Sequence, residues 1–201
     1  MSSDIQSTFI ESAAIDADGI STAAAVGNNA NLVIGGALAS GGAVTFDQPR
    51  NVTILSAGDD SGISFTVTGT DEAGDSATES ITGANAGTAT GSSYFATVTA
   101  IAAVGDPAGN VSAGSGTTIA APMFRGRMRL RGMYVVNTGT AGTTTFRQTS
   151  SSGTVKMQFN TVASANTTQY PDVPDDGILF TGGGYVLYTQ GTLSSITVFY
   201  S

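Results

Sequence analysis

Apolar and polar residues alternate along much of the chain, in short runs that are separated by turn residues. Between Ile63 and Val67 every second residue is apolar, and hydroxyl side chains lie between them. Side chains of an extended strand point alternately to its two faces, so this pattern predicts a strand with one buried face. The turn residues Asp71–Asp75 follow, and a second alternating run comes after them. The whole segment 64–82 is therefore predicted to be a β-hairpin.

Similar runs occur on both sides of this hairpin, each bounded by Gly, Asn, Asp, Ser or Pro. They predict further strands at Asn31–Ile34, Val44–Phe46, Asn51–Leu55, Tyr94–Ile101, Asn110–Ser112, Phe124–Val136, Thr143–Gln148, Val155–Asn160, Ile178–Phe180, Tyr185–Tyr188 and Ser195–Tyr200. In one of them, alternation predicts that Val155, Met157 and Phe159 face inward. Many short strands at such spacing are typical of an antiparallel sandwich.

The predicted fold class is all-β, with two consecutive antiparallel β-sandwich or jelly-roll-like modules and an irregular N-terminal arm. Residues 1–30 are small and polar with weak alternation, so we expect them to form the arm. The Gly, Ser and Thr residues of 113–118, followed by Ala120–Pro122, predict a linker. The expected modules are therefore residues 31–118 and residues 119–201.

Composition supports a β-protein that assembles with others. The chain has 27 Gly residues and only 11% charged residues, which disfavours helices, whereas 40% hydrophobic residues argue against disorder. Large apolar side chains are scarce, so each core should be thin, and oligomerisation would add burial. Residues 1–124 hold twelve acidic residues and one basic residue, a net −11, and residues 125–201 hold three and six, a net +3. Such an acidic chain is a poor partner for nucleic acid.

The residue types present offer little for catalysis. The chain has neither His nor Cys, which removes the commonest general base, the thiolate nucleophile and the disulfide framework. Its only lysine, Lys156, is predicted to face solvent on a strand, so a Ser–Lys dyad is disfavoured. We therefore expect a protein that is not an enzyme and has no cofactor.

Acidic residues occur in pairs, and two other functions are compatible with such pairs. Paired carboxylates could hydrolyse glycosides, and the segments 16–19 and 71–75 could supply oxygen ligands to a structural Ca²⁺. The pairs lie beside Gly in turn-like sequence, however, where Asp side chains cap their own backbone. We expect turns rather than a catalytic or metal site at Asp59 and Asp60, Asp71 and Asp75, and Asp175 and Asp176.

The strongest local signal is a run of four arginines at a spacing of two, which we call the arginine segment: Arg125, Arg127, Arg129 and Arg131. In an extended strand all four would share one face, over about 20 Å, and residues 126, 128, 130, 132 and 134 would share the other. Aligned guanidinium groups repel one another unless carboxylates lie opposite, so we predict a protein interface at these four residues. A solvated edge strand and a nucleic-acid contact are the alternatives.

Several strand-and-turn segments carry a resemblance to known proteins: residues 16–54, 56–70, 79–85 and 109–112. They resemble small β-rich proteins from the structural gene clusters of tailed bacteriophages. Residues 133–139 and 176–200 resemble the C-terminal β modules of phage decoration and tail-associated proteins. The resemblance covers most of residues 16–201 and brings no catalytic residues with it.

The resemblance implies a virion structural protein, foremost a capsid decoration or cement protein that stabilises the major capsid lattice. Its expected partners are the major capsid protein or other virion proteins and further copies of itself, for example in a trimer. A neck, tail or fibre component with receptor-binding function is the alternative, and a bacterial surface adhesion module is the second. No secretory signal or apolar run of ~18 residues is present, so we expect synthesis in the host cytoplasm, localisation in the virion and no membrane partner.

Overall fold

The computed structural model describes residues 4–11, 14–164 and 167–201, and within them the chain is antiparallel and all-β, without a helix. This confirms the predicted fold class, a β-sandwich architecture, and the jelly-roll connectivity stays a prediction. The strands are β1 (Gln6–Glu11), β2 (Ser21–Ala25), β3 (Ala39–Ser40), β4 (Ala43–Ser56), β5 (Ser64–Thr70), β6 (Ser76–Thr82), β7 (Thr88–Thr90), β8 (Phe95–Val104), β9 (Asn110–Phe124), β10 (Met128–Asn137), β11 (Gly142–Gln148), β12 (Val155–Thr161), β13 (Thr168–Gln169), β14 (Ile178–Phe180), β15 (Gly184–Thr189) and β16 (Leu193–Tyr200).

The chain folds into two compact units. The central unit is Ala14–Thr117, and the terminal unit combines Met1–Ala13 with Thr118–Ser201. The structure differs here from the predicted irregular arm at residues 1–30, since β1 belongs to the terminal unit and β2 to the central unit. The partner of β1 is β16, at the other end of the chain, so the residues around β1 do not by themselves indicate the pairing.

The central unit contains the predicted hairpin. Strands β5 and β6 pair from Ser64 with Thr82 to Thr70 with Ser76, and the neighbours in its sheet run β9, β4, β8, β5 and β6. Phe65 and Val67 are fully buried in its core, as alternation predicts. Predicted strands 44–46 and 51–55 are parts of the single strand β4, whereas residues 32–34 form no strand.

Strand β9 runs through the segment that was predicted to be a linker, so that prediction is wrong. Residues 111–116 are buried in strand conformation. The small residues allow two backbone segments to lie close together. Ser115 N donates to the Asp16 carbonyl at 2.9 Å, and a Cβ on Gly114 would lie 2.3 Å from the same oxygen. A Gly/Ser/Thr composition thus marks tight packing here and not flexibility.

The terminal unit is a sandwich of two antiparallel sheets. One sheet has the order β1, β16, β10 and β13, with β14 also paired to β10, and the other has the order β12, β11, β15 and β9. Their inner faces share one core, to which Ile10, Val135 and Ile196 belong in the first sheet and Ile119, Phe146 and Val186 in the second. Met157 and Phe159 pack against this core as predicted, whereas Val155 is 44% exposed.

Candidate interaction surface

The arginine segment is not one continuous strand. Strand β9 ends at Phe124, Gly126 adopts a φ of +73°, and β10 begins at Met128. A positive φ interrupts an extended strand and suits glycine, and the Gly126 carbonyl accepts a hydrogen bond from Gly183 N at 2.6 Å. Arg125 and Arg127 therefore lie exposed in a turn. The prediction that four arginines share one strand face is wrong.

Arg129 and Arg131 lie on β10 and are half-buried, and both are used within the molecule. Arg129 Nη1 donates to the carbonyls of Asp176, at 2.9 Å, and Gly177, at 3.3 Å. Arg131 Nε donates to Ser201 Oγ at 2.8 Å, and its Nη1 donates to the Asp175 carbonyl at 3.4 Å. These two side chains hold the 175–177 turn against the sheet, whereas Arg125 and Arg127 make no hydrogen bond or ion pair within the described residues.

A β-bulge at Arg131 reverses the faces of β10. Leu130 pairs with Tyr200 but Gly132 pairs with Phe199, so one extra residue is inserted in β10. Leu130 is buried before the bulge, and Met133 and Val135 are buried after it. Tyr134 consequently points away from the core, on the face opposite to Leu130, which contradicts the alternation predicted for residues 126–134.

The outer face of this sheet carries a row of aromatic side chains, which we call the aromatic face: Phe9, Tyr134, Tyr170 and Phe199. Phe9 pairs with Thr197, and Thr197 pairs with Tyr134 on its other side, so the three residues lie in one line across β1, β16 and β10. Tyr170 directly follows β13 and continues the line, with its ring 5.3 Å from the Tyr134 ring.

Three of these side chains are exposed to solvent: Phe9 is 61% exposed, Tyr170 70% and Phe199 37%. Single exposed apolar residues are ordinary, whereas several aromatic side chains on the outer face of one sheet are typical of an interaction surface. Alternation placed Tyr134 on the same face as Leu130, which is the wrong face, and it predicted a strand but no face for Phe199 and no strand for Phe9. The signal that remained was the aromatic residues themselves.

The acidic pairs lie mainly in turns, as predicted. Asp71 Oδ1 accepts hydrogen bonds from Ala73 N at 2.8 Å and Asp75 N at 2.9 Å. Asp59 Oδ1 accepts from Ser61 Oγ at 2.7 Å and Ser61 N at 3.1 Å, and these bonds lower the pKa of Asp59. The described residues contain no group of three or more acidic side chains placed to hold a metal ion.

Asp60 is an exception among these residues because it is fully buried. Its Oδ1 accepts a hydrogen bond from Ala108 N at 2.6 Å, and Oδ2 has no hydrogen-bond partner in the described part of the chain. The carboxylate connects the 58–62 turn to the loop before β9. Its role is thus to hold two loops of the central unit together.

Two comparisons of this chain with known proteins find no match. No protein-family model matches it, and no curated protein sequence matches it significantly. Among residues 4–11, 14–164 and 167–201 there is also no helix that could span a membrane.

Proposed function

We propose that this chain is a structural protein of a tailed-bacteriophage virion, and specifically a capsid decoration protein that binds the major capsid protein. The observation that carries the proposal is the aromatic face of the terminal unit. Exposed aromatic side chains on a rigid sheet supply large contact areas at little entropic cost, and such residues are enriched in protein interfaces. The resemblance of the strand-and-turn segments to phage virion proteins supports a tailed-bacteriophage virion as the particle that contains this protein.

Charge supports a protein partner over a nucleic acid. The central unit holds ten acidic residues and one basic residue, Arg50. That arginine is 1% exposed and forms an ion pair with Asp47, so the unit presents acidic side chains to solvent. DNA binding requires clustered Lys and Arg that release counterions, and repulsion from the acidic unit opposes it.

Arg125 and Arg127 suit the rim of a protein interface. They are exposed on the turn between β9 and β10, and their guanidinium groups make no bond within the described residues. Free guanidinium groups can bind carboxylates of a partner through two parallel hydrogen bonds. We therefore propose a protein interface at Arg125 and Arg127 only. Arg129 and Arg131 have a structural role instead.

A decoration protein stabilises a capsid through many identical copies bound to the lattice. Each contact with the capsid can be weak, because many identical copies bind a symmetric lattice and because linked contacts reinforce one another. A single aromatic face of modest size is sufficient for that task. A neck, tail or fibre component would use the same surface at few sites in the particle, so copy number separates the two functions.

The test is incorporation into particles. A phage that lacks the gene is complemented with Phe9→Ser/Phe199→Ser, and copies per particle are measured by quantitative mass spectrometry. The matched control is Val33→Ser, which removes a 77% exposed apolar side chain from the central unit. We expect the double variant to be depleted from particles and the control to be incorporated normally. Normal incorporation of both would refute the aromatic face as the docking surface.

A further inference from the structure

A groove lies along β12 at one edge of the terminal unit. It consists of two adjoining depressions of about 310 and about 300 Å³, both of which are lined by Asn160. Phe159, Gln169 and Tyr170 line the first depression, and Thr143 and Thr161 line the second. Each volume is at the lower end of the ~300–1,000 Å³ that small-molecule sites usually occupy. The two together suit an elongated ligand of several units.

Tyr170 provides a flat apolar platform in this groove. Its side chain is 70% exposed, and an edge-to-face contact with Tyr134 holds it, with a centroid distance of 5.3 Å and an interplanar angle of 62°. A ring that is held in place before binding loses little conformational freedom when a ligand stacks on it. The C–H face of a sugar ring is such a partner.

Asn160 provides a directed hydrogen-bond donor. Thr143 Oγ1 donates to Asn160 Oδ1 at 3.1 Å, which fixes the orientation of the amide. The exposed Nδ2 group makes no hydrogen bond within the described residues, and it is free to donate to a ligand hydroxyl. An amide that is oriented by a neighbouring hydroxyl is a preorganised contact.

Gln169 provides an acceptor beside the donor. Its Nε2 lies 3.5 Å from the Asn160 carbonyl oxygen, and its Oε1 is enclosed without a hydrogen-bond donor among the described residues. An enclosed acceptor without a donor raises the free energy of the folded protein. A ligand hydroxyl could supply the missing donor only after the amide rotates to expose Oε1.

We propose that this groove binds a neutral oligosaccharide. An aromatic platform, an amide donor and an amide acceptor match the alternating C–H faces and hydroxyls of a sugar chain, and none of the described residues that line the two depressions is charged. Tyr170 also belongs to the aromatic face, at its β13 edge, whereas Phe9 lies at the β1 edge, so the Phe9 and Phe199 variants test capsid docking without changing this groove.

The test is an NMR titration of the isolated full-length chain with maltohexaose, cellohexaose, xylohexaose and chitohexaose. Each sugar is added up to about 10 mM, a range in which a Kd of about 1 mM is measurable. We expect at least one of the four to bind. Tyr170→Ala should weaken that binding about tenfold or more, which is the loss of about 1.4 kcal/mol. Asn160→Asp, which keeps the shape but replaces the donor, should weaken it too.

Lys156→Gln on the same strand is the matched control, and its affinity should equal that of the wild type. Circular dichroism of each variant shows whether it is folded, which we expect because Tyr170, Asn160 and Lys156 all lie at the surface. If none of the four sugars binds, or if binding is the same in Tyr170→Ala, the proposal is wrong. Neither result bears on incorporation into particles, which is measured with the Phe9 and Phe199 variants.

Discussion

Arg131 and Ser201 are joined by a hydrogen bond of 2.8 Å from the guanidinium Nε to the serine Oγ. The backbones of Arg129 and Ser201 also exchange two hydrogen bonds, of 2.8 and 3.0 Å. Together with the bonds from both arginines to the 175–177 turn, these contacts hold that turn and the C-terminal residue against β10. The arginine segment therefore divides into a structural half and a free half.

This division predicts different effects of neutralising the two halves. Arg129→Gln/Arg131→Gln should lower the free energy of unfolding by about 1–2 kcal/mol, because hydrogen bonds from charged donors are lost but the groups are only half-buried. Arg125→Gln/Arg127→Gln should change it by less than about 0.5 kcal/mol, as is usual for surface substitutions. Urea denaturation of both double variants measures the difference. Equal losses in the two variants would contradict the assigned roles.

Neighbouring residues of β1 should behave in opposite ways. Ile10 is 1% exposed and packs in the core of the terminal unit, whereas Phe9 is 61% exposed on the aromatic face. Ile10→Ala should destabilise the protein by about 2–4 kcal/mol, since it leaves a cavity. Phe9→Ala should change stability by no more than about 0.5 kcal/mol. Thermal or chemical denaturation checks both, and a neutral Ile10→Ala would mean that β1 is not part of the sandwich.

The buried side chain of Asp60 should stabilise the folded protein because its Oδ1 accepts a hydrogen bond from Ala108 N. Asp60→Ala removes the acceptor of Ala108 N from a partly buried hydrogen bond, which should destabilise the protein by about 0.5–1.5 kcal/mol. Asp60→Asn keeps an oxygen acceptor of the same shape and should cost less than the alanine variant. Urea denaturation at neutral pH compares the two variants. An alanine variant as stable as the asparagine variant would show that the bond to Ala108 contributes little.

Asp59 should titrate below its ordinary pKa of 3.8, because Ser61 Oγ and N donate to its charged form. A lowered pKa in the folded protein means that the contribution to stability is present above pH 3.8 and is lost as pH falls through the lowered value. An NMR titration of the carboxyl group measures it, and Ser61→Ala should bring the pKa back towards 3.8. A wild-type pKa at or above that value would contradict the hydrogen-bonded turn.

The features that could be predicted from the sequence are the local ones. The hairpin of β5 and β6 follows from alternation on each side of the 71–75 turn, because its partners are close along the chain. Strands β11, β12, β14 and β15 are predicted to within one residue at each end. Strand existence depends on side chains within a few positions, and such patterns are visible without a structure.

The features that were missed depend on distant partners or on one backbone angle. Strand β1 pairs with β16 at the far end of the chain, and its adjacent apolar residues Phe9 and Ile10 break the alternation that would have revealed it. The bulge at Arg131 and the positive φ of Gly126 reverse or interrupt a face that perfect alternation predicts. The aromatic face arises from these two kinds of feature and was therefore not predicted.

The most direct test of the proposed role in the capsid is the number and position of copies of this chain in purified particles of the phage that we propose encodes it. Quantitative mass spectrometry gives the number, and a cryo-EM reconstruction gives the position. We predict roughly hundreds of copies on the outer shell, in a fixed ratio to the major capsid protein, as the symmetry of a repeating lattice requires. About a dozen copies or fewer at the neck or tail, or none at all, would contradict the proposed function.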